Sequence, residues 1–347
     1  MLWDLYCRVI DNQGDLGVCW RLARDLASRG ETVQLFVDDA SALRWMAPHP
    51  DPLCSGESEP VVLAFDDVSR APGDVVIEMF GCDPPAEIVA RMHRAAPPVW
   101  INLEHLSAEP YVERCHALAS PRPDGLRKWF YYPGFTDRTG GLIREARLLA
   151  ARSAFDRDAW LAAHGWPRRS DERVVTLFCY PNPALPALLD ALGAAPTLLL
   201  ATAGHAAAQV AAGRPHALRA VALPWVPQCD FDRLLWSSDL NVVRGEDSLV
   251  RAIWAGAPFV WQAYPQHDGA HRAKVDALLD LFLEGARPAL AHDVRALWRA
   301  WNGFADWPAA WPDRSAWRAQ AARWRSKLLA QADLGSRLLE FVADRRS

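Results

Sequence analysis

Two aspartates four residues apart, Asp11 and Asp15, stand in the stretch DNQGDLGVCW with Asn12 and Gly14 between them. Carboxylates on one turn can gather a cation through paired hydrogen bonds, or take up a proton. The same residues also have a structural use, Asp15 as a helix cap and Asp11 as the closer of a turn. A second stretch, RGEDS (244–248), puts Glu246, Asp247 and Ser248 behind an apolar run and a glycine. A helix starting there, capped by Ser248 or Asp247, offers its backbone N–H groups to a phosphate or diphosphate. Acids in a first turn also simply suit the helix dipole. In a third group, Phe178 and Tyr180 end the run VVTLFCY, while Gln228 and Phe231 follow RAVALPWV. Such rings can enclose a flat base whose edge pairs with Gln228, or they can pack a core.

The elements that must carry these residues are legible as alternation. In the first half, LWDLYCRVI is followed by a helical pattern through Val18, Leu22 and Leu26, then by TVQLFVDD, PVVLAF, DVVIEMF and PVWINLE. The second half repeats the scheme with RVVTLFCY, TLLLATAG, RAVALPWV, LNVVRG and PFVWQAY. Strands alternating with helices predict an α/β chain built on parallel sheets. With 347 residues, two domains are expected. Their expected bounds are 1–150 and 173–325, joined by a charged, Ala-rich linker over 151–172, with a terminal helix over 326–347 packing back on the first domain. Two such domains would face each other across a cleft at the carboxyl ends of their strands, where open α/β sheets bind ligands. The first strand is expected to end near Ile10, which sets both aspartates on that edge. The tail from His292 onward is helical and rich in tryptophan (Trp298, Trp301, Trp307, Trp311, Trp317, Trp324). These rings are expected to pack as core or as a brace between domains.

Composition removes several classes of function. A formal charge of −4, spread along the chain, gives no basic footprint for nucleic acid or an anionic membrane. Seven cysteines, odd in number and never in a CxxC pattern, suggest neither a disulfide framework nor a zinc site. No signal-peptide pattern opens the chain and no apolar run reaches membrane-spanning length, so a cytoplasmic protein is expected. The pairs Asp156/Asp158 and Asp230/Asp232 have the look of metal motifs but are read as caps or surface acids, and no metal is expected. The first loop lacks the G-x-G-x-x-G of a dinucleotide fold and places acids where a pyrophosphate would approach. It suits a cation or a proton, not a phosphate.

Four segments, DNQGDLGVCWRLARDLA, WINLEHLSAEPYVERCHALASP, KWFYYPGFTDRTGGLIRE and RGEDSLVRAIWAGAPFVWQAYPQ, together resemble the elongation factor P arginine rhamnosyltransferase family, in order and across both domains. The resemblance implies a GT-B fold and an inverting transfer of L-rhamnose from dTDP-β-L-rhamnose to an arginine of elongation factor P, an enzyme without a cofactor. It implies catalytic roles for Asp11, Asp15 and Glu246, with Asp11, Asn12 and Asp15 at the acceptor. Phe178, Tyr180, Gln228 and Phe231 would surround the thymine, with Glu246, Asp247 and Ser248 at the ribose and diphosphate. Gln13 stands where relatives carry an aromatic residue, and Leu249 where they carry phenylalanine. Paired acids answer a chemical need, because a guanidinium stays protonated and its lone pairs are delocalised. Two competing readings are a GT-B enzyme with a small-molecule or lipid acceptor and a non-catalytic, nucleotide-sugar-gated binding protein.

Overall fold

The computed structural model describes residues 1–11, 14–48, 59–213, 218–266 and 269–346. The chain divides into two compact units, Met1–Leu149 with Ala330–Ser347, and Ala150–Leu329. Unit 1 runs β1 (Leu2–Cys7), α1 (Asp15–Ser28), β2 (Thr32–Val37), α2 (Leu43–Met46), β3 (Val61–Ala64), β4 (Val75–Met79), α3 (Ala86–Arg91), β5 (Val99–Leu103), α4 (Tyr111–Cys115), β6 (Ala119–Pro121) and β7 (Arg127–Tyr131). Across the boundary lies α5 (Leu148–Ser153). Unit 2 continues with α6 (Arg157–Ala163), β8 (Arg173–Leu177), α7 (Leu185–Gly193), β9 (Thr197–Ala201), α8 (His205–Ala212), β10 (Arg219–Ala222), α9 (Gln228–Trp236), β11 (Leu240–Arg244), α10 (Gly245–Ala255), β12 (Phe259–Gln262), α11 (His271–Phe282), α12 (Pro288–Trp301) and α13 (Arg314–Leu329). The terminal α14 (Leu334–Arg346) returns to unit 1.

Each unit is a Rossmann-like sheet. In unit 1 the order is β3-β2-β1-β4-β5-β7-β6, parallel except for the antiparallel edge pair β6/β7, which the alternation did not reveal. In unit 2 the order is β10-β9-β8-β11-β12, parallel throughout. The strand order reverses between β1 and β4 in the first sheet, and between β8 and β11 in the second. At such a switch point neighbouring connections leave on opposite faces, and the loops beyond the strand ends frame a crevice.

The continuous apolar runs of the central strands fit burial on both faces. Trp3, Leu5, Val75, Ile77 and Ile101 lie fully inside unit 1, and Val174, Val175, Leu198, Leu199 and Val242 inside unit 2. Leu334, Leu338, Phe341 and Val342 of α14 join the same cluster as Leu16, Leu22 and Leu26 of α1. Asp25 and Asp333 both hold Arg29, and Gly335 lies so close that a Cβ there would sit 2.2 Å from Asp25 Oδ2.

Several expectations change. The segment 151–172 is not a bare linker, since it contributes to α5 and forms α6 within unit 2, with Asp156 capping α6 through the Ala159 N–H. Asp158 pairs with Arg168 at the surface. Asp232 is neither a cap nor a surface acid: it is buried and bidentate with Arg251, at 2.8 and 2.6 Å, tying α9 to α10. Trp298, Trp301, Trp317 and Trp324 are buried in the helical layer of unit 2, Trp298 and Trp324 against Phe259 and Phe282. The six described cysteines are free thiols, and Cys54 lies outside the described residues.

Candidate active site

In unit 1 the two aspartates lie where β1 hands over to α1, beside the switch point. The strand ends at Cys7 rather than near Ile10, because Val9 N–H turns away to Asp38 Oδ1. Asp15 opens α1 but does not cap it; the cap position is Gly14, without a side-chain bond. Instead the Asp15 carboxylate folds back, and its Oδ2 accepts the N–H groups of Ile10 and Asp11, each at 3.0 Å. Asp15 N–H returns a bond to Asp11 O at 2.8 Å, closing the loop on itself. A side chain at Gly14 would press on Asp11, a Cβ there lying 3.2 Å from Asp11 Oδ2. Asp11 and Asp15 are thus tied to each other through backbone and side chain. Asn12 and Gln13 lie outside the described residues.

Burial pushes the Asp15 carboxyl above its ordinary range, and the Asp11 charge adds to this. The two amide bonds and His105 act in the opposite direction. His105 follows β5 and stacks on Phe80, just past β4, with centroids 4.3 Å apart. Phe80 itself holds φ +58, a conformation uncommon for a bulky side chain and characteristic of constrained sites. Its N–H donates to Leu103 O at 2.7 Å, which holds the turn. The loops after β1, β4 and β5 therefore supply Asp11, Asp15, Phe80 and His105 to one edge of one sheet. His105 was visible in the sequence only as part of WINLEHLS, with no spacing to mark it.

In unit 2, α10 begins at Gly245, ahead of both expected caps, Asp247 and Ser248. Arg244 is the cap residue, in extended backbone, and Gly245 takes φ +66, which glycine adopts without strain. Ser248 therefore sits inside the first turns, where its buried hydroxyl bonds back to both the N–H and the C=O of Arg244. Glu246 and Asp247 occupy the first turn, half-buried. The opening amides of an α-helix have no intrahelical acceptor and carry the positive end of its dipole, so this turn can meet an anion.

The four predicted base-binding residues do not form one sandwich. Phe178 meets Phe231 edge to face at 5.4 Å, and Gln228 is the first residue of α9, half-buried. Tyr180 is instead covered by the Arg244 guanidinium, 4.1 Å from its ring centroid, and met at 5.3 Å by Tyr264. The same guanidinium lies 4.5 Å from the Phe178 ring. Arg244 and Tyr264 were thus missed as site residues, although both lie in RGEDS…WQAYPQ. A cation between two aromatic rings at the switch point, next to a helix start, is a natural partner for a diphosphate. Among the described residues no group of His, Cys, Asp and Glu side chains is arranged to hold a metal ion.

The model of the elongation factor P (EF-P) rhamnosyltransferase family, EarP, matches residues 3–343. The chain belongs to this family. It is 43% identical over 371 residues to the protein-arginine rhamnosyltransferase of Pseudomonas aeruginosa, covering 99% of both chains. It is 44% identical to the protein-arginine rhamnosyltransferase of Pseudomonas putida, covering 98% of both. A solved EarP structure, which addresses arginine glycosylation of translation elongation factor EF-P, superposes with a TM-score of 0.68 at 32% identity, over 99% of each chain. MurG of Acinetobacter baumannii, at 12% identity and a TM-score of 0.52 over 99% of each chain, shares the fold alone. The architecture is that of the GT-B glycosyltransferases. No helix among the described residues is long and apolar enough to cross a membrane.

Proposed function

We propose that this EarP-family chain transfers L-rhamnose from dTDP-β-L-rhamnose to an arginine side chain of elongation factor P, with inversion at the anomeric carbon, and so equips ribosomes for polyproline synthesis. The observation that carries the reading furthest is the state of Asp15: fixed by two backbone amides, and raised above the ordinary carboxylate range by burial. No described residue donates to its Oδ1. A fixed carboxylate with heightened proton affinity suits a general base for a reluctant nucleophile.

In the proposed reaction Asp11 and Asp15, with Asn12, bind the acceptor guanidinium and fix its plane. One guanidinium nitrogen attacks the anomeric carbon, forming the C–N bond as the bond to the diphosphate oxygen breaks. The proton lost by that nitrogen passes to Asp15, and the electron pair of the broken bond leaves with dTDP. Arg244 and the opening α10 amides meet the charge that grows on the leaving diphosphate, Ser248 holding the Arg244 backbone through its hydroxyl, while Glu246 and Asp247 bind the ribose side. With the leaving group held this way, we propose that neither a divalent metal nor a cofactor is needed. Phe178, Gln228 and Phe231 hold the thymidine, while the Tyr180 ring backs the Arg244 guanidinium. A cytoplasmic site of action follows from the acceptor.

Two arms test the reading. Replacing the acceptor arginine of elongation factor P by lysine should abolish modification, since paired acids built for a planar guanidinium do not orient an ammonium. Proton NMR of the product should show the α-anomer; efficient lysine modification or retention of the β-anomer would refute it.

A further inference from the structure

Beyond the end of β8, the backbone of Tyr180 leaves the ladder, and its buried peptide groups need other partners. Two glutamine side chains distant in sequence provide them. Gln262, the last residue of β12, reaches past β11 and accepts the Tyr180 N–H through Oε1 at 2.9 Å, in a buried contact. Gln209 of α8 donates from Nε2 to Tyr180 O at 3.3 Å. The orientation of that amide is fixed, because its Oε1 accepts Asn182 N–H at 2.8 Å. Asn182 is anchored in turn, donating from Nδ2 to Trp301 O at 2.8 Å. The ring of Tyr180 is bounded on its far side as well: Trp261 Nε1 donates to Gly245 O at 2.8 Å, and a Cβ on Gly245 would lie 3.3 Å from Tyr180 Oη.

We propose that Gln209 and Gln262 are positioning residues of the donor site, which clamp Tyr180 and, through its ring, hold the Arg244 guanidinium in place for the nucleoside diphosphate. The inference rests on the reading that the donor binds around Tyr180 and Arg244. Gln262 stands beside Arg244 in the β11/β12 register, and the clamp joins β8, β12 and α8 through side-chain amides. A glutamate at 209 would lose the donor that Tyr180 O requires. A glutamate at 262 would keep the acceptor for Tyr180 N–H, so the two positions respond differently to the same replacement.

The test compares Gln209→Met, Gln209→Glu, Gln262→Met, Gln262→Glu and Tyr180→Ala in the full chain, measuring dTDP affinity by calorimetry and KM separately for donor and acceptor. Gln209→Met and Gln262→Met should each weaken dTDP binding and raise donor KM about tenfold, the scale of one hydrogen bond to a buried peptide group removed. Acceptor KM should stay within about twofold. Gln262→Glu should recover most of the donor affinity, and Gln209→Glu should not. If Gln262→Met does not fold, Gln209→Met, at a half-exposed helix position, decides. A folded Gln209→Met with wild-type dTDP affinity overturns the proposal. If Tyr180→Ala also leaves donor binding unchanged, the donor site lies elsewhere and the underlying reading falls with it; if Tyr180→Ala weakens binding while the glutamine variants do not, only the clamp is wrong.

Discussion

The Asp15 side chain does not cap α1 but grips the loop before it, its Oδ2 accepting two backbone N–H groups. With Asp15 as the proposed general base, its raised proton affinity should place the acid limb of the rate profile above the usual carboxylate range. His105 opposes that rise, since a cationic imidazole favours the ionised acid. His105→Gln removes the positive charge, so the acid limb of kcat/KM for acceptor should move to higher pH, with the alkaline plateau little changed; a limb at the wild-type position would show that the charge does not act on Asp15. The paired acids and RGEDS were legible because reactive residue types cluster tightly in sequence. His105, Arg244 and Tyr264 were not singled out, because their importance comes from what stands across the strand ends, and spacing along one chain does not encode that.

At the level of elements, every apolar run read as a strand is a strand, but their ends shifted. β1 stops three residues early and α10 starts at Gly245, since a left-handed glycine and a side chain bonding backward set these limits, whereas hydrophobicity does not. The edge pair β6/β7 escaped notice because its strands are short and half-exposed. Two buried charges make elements testable. Asp4 on β1 is raised by burial to about 6, although Gly73 N–H donates to it at 2.7 Å. The unfolded chain releases that proton near pH 3.9, so the folded state binds more protons between these limits and loses stability as pH rises through them. Asp4→Asn keeps an acceptor for Gly73 without the charge. It should therefore stabilise unit 1 by up to roughly 3 kcal/mol at pH 8 and far less at pH 4, as read from urea melts at both pH values. Arg251→Leu removes the bidentate partner of buried Asp232 between α9 and α10; a loss of about 3–5 kcal/mol in unit 2 is expected by the same measurement.

Over the whole molecule, the division into two α/β halves was readable from the repeated alternation, and the duplication of core strands gives each unit an interior of its own. Where the chain crosses between units was less legible. The segment 151–172 lacks strand signals yet belongs to the second unit, because short amphipathic helices on a sheet resemble a polar linker in composition. The return of α14 to unit 1 rests on Leu334, Leu338, Phe341 and Val342, which join the α1 cluster. A chain ending at Leu329 should accordingly lose the thermal transition of unit 1, or lower it sharply, while the transition that dTDP protects persists. Calorimetry with and without dTDP at about 100 times its Kd, which adds roughly 2.7 kcal/mol to the unit that binds it, distinguishes the two. A single transition unchanged by the truncation would contradict this division of the core.

The central claim is that a carboxylate pair on the first loop turns a guanidinium into a nucleophile. Its most direct test is intact-mass spectrometry of elongation factor P incubated with dTDP-β-L-rhamnose and either the wild-type chain or Asp15→Asn. The wild type should add one deoxyhexose, and Asp15→Asn should lose about 10²-fold or more in rate while calorimetry shows dTDP affinity unchanged. Transfer by Asp15→Asn at near wild-type rate, or no transfer by a wild-type chain that binds dTDP-β-L-rhamnose tightly, would contradict it.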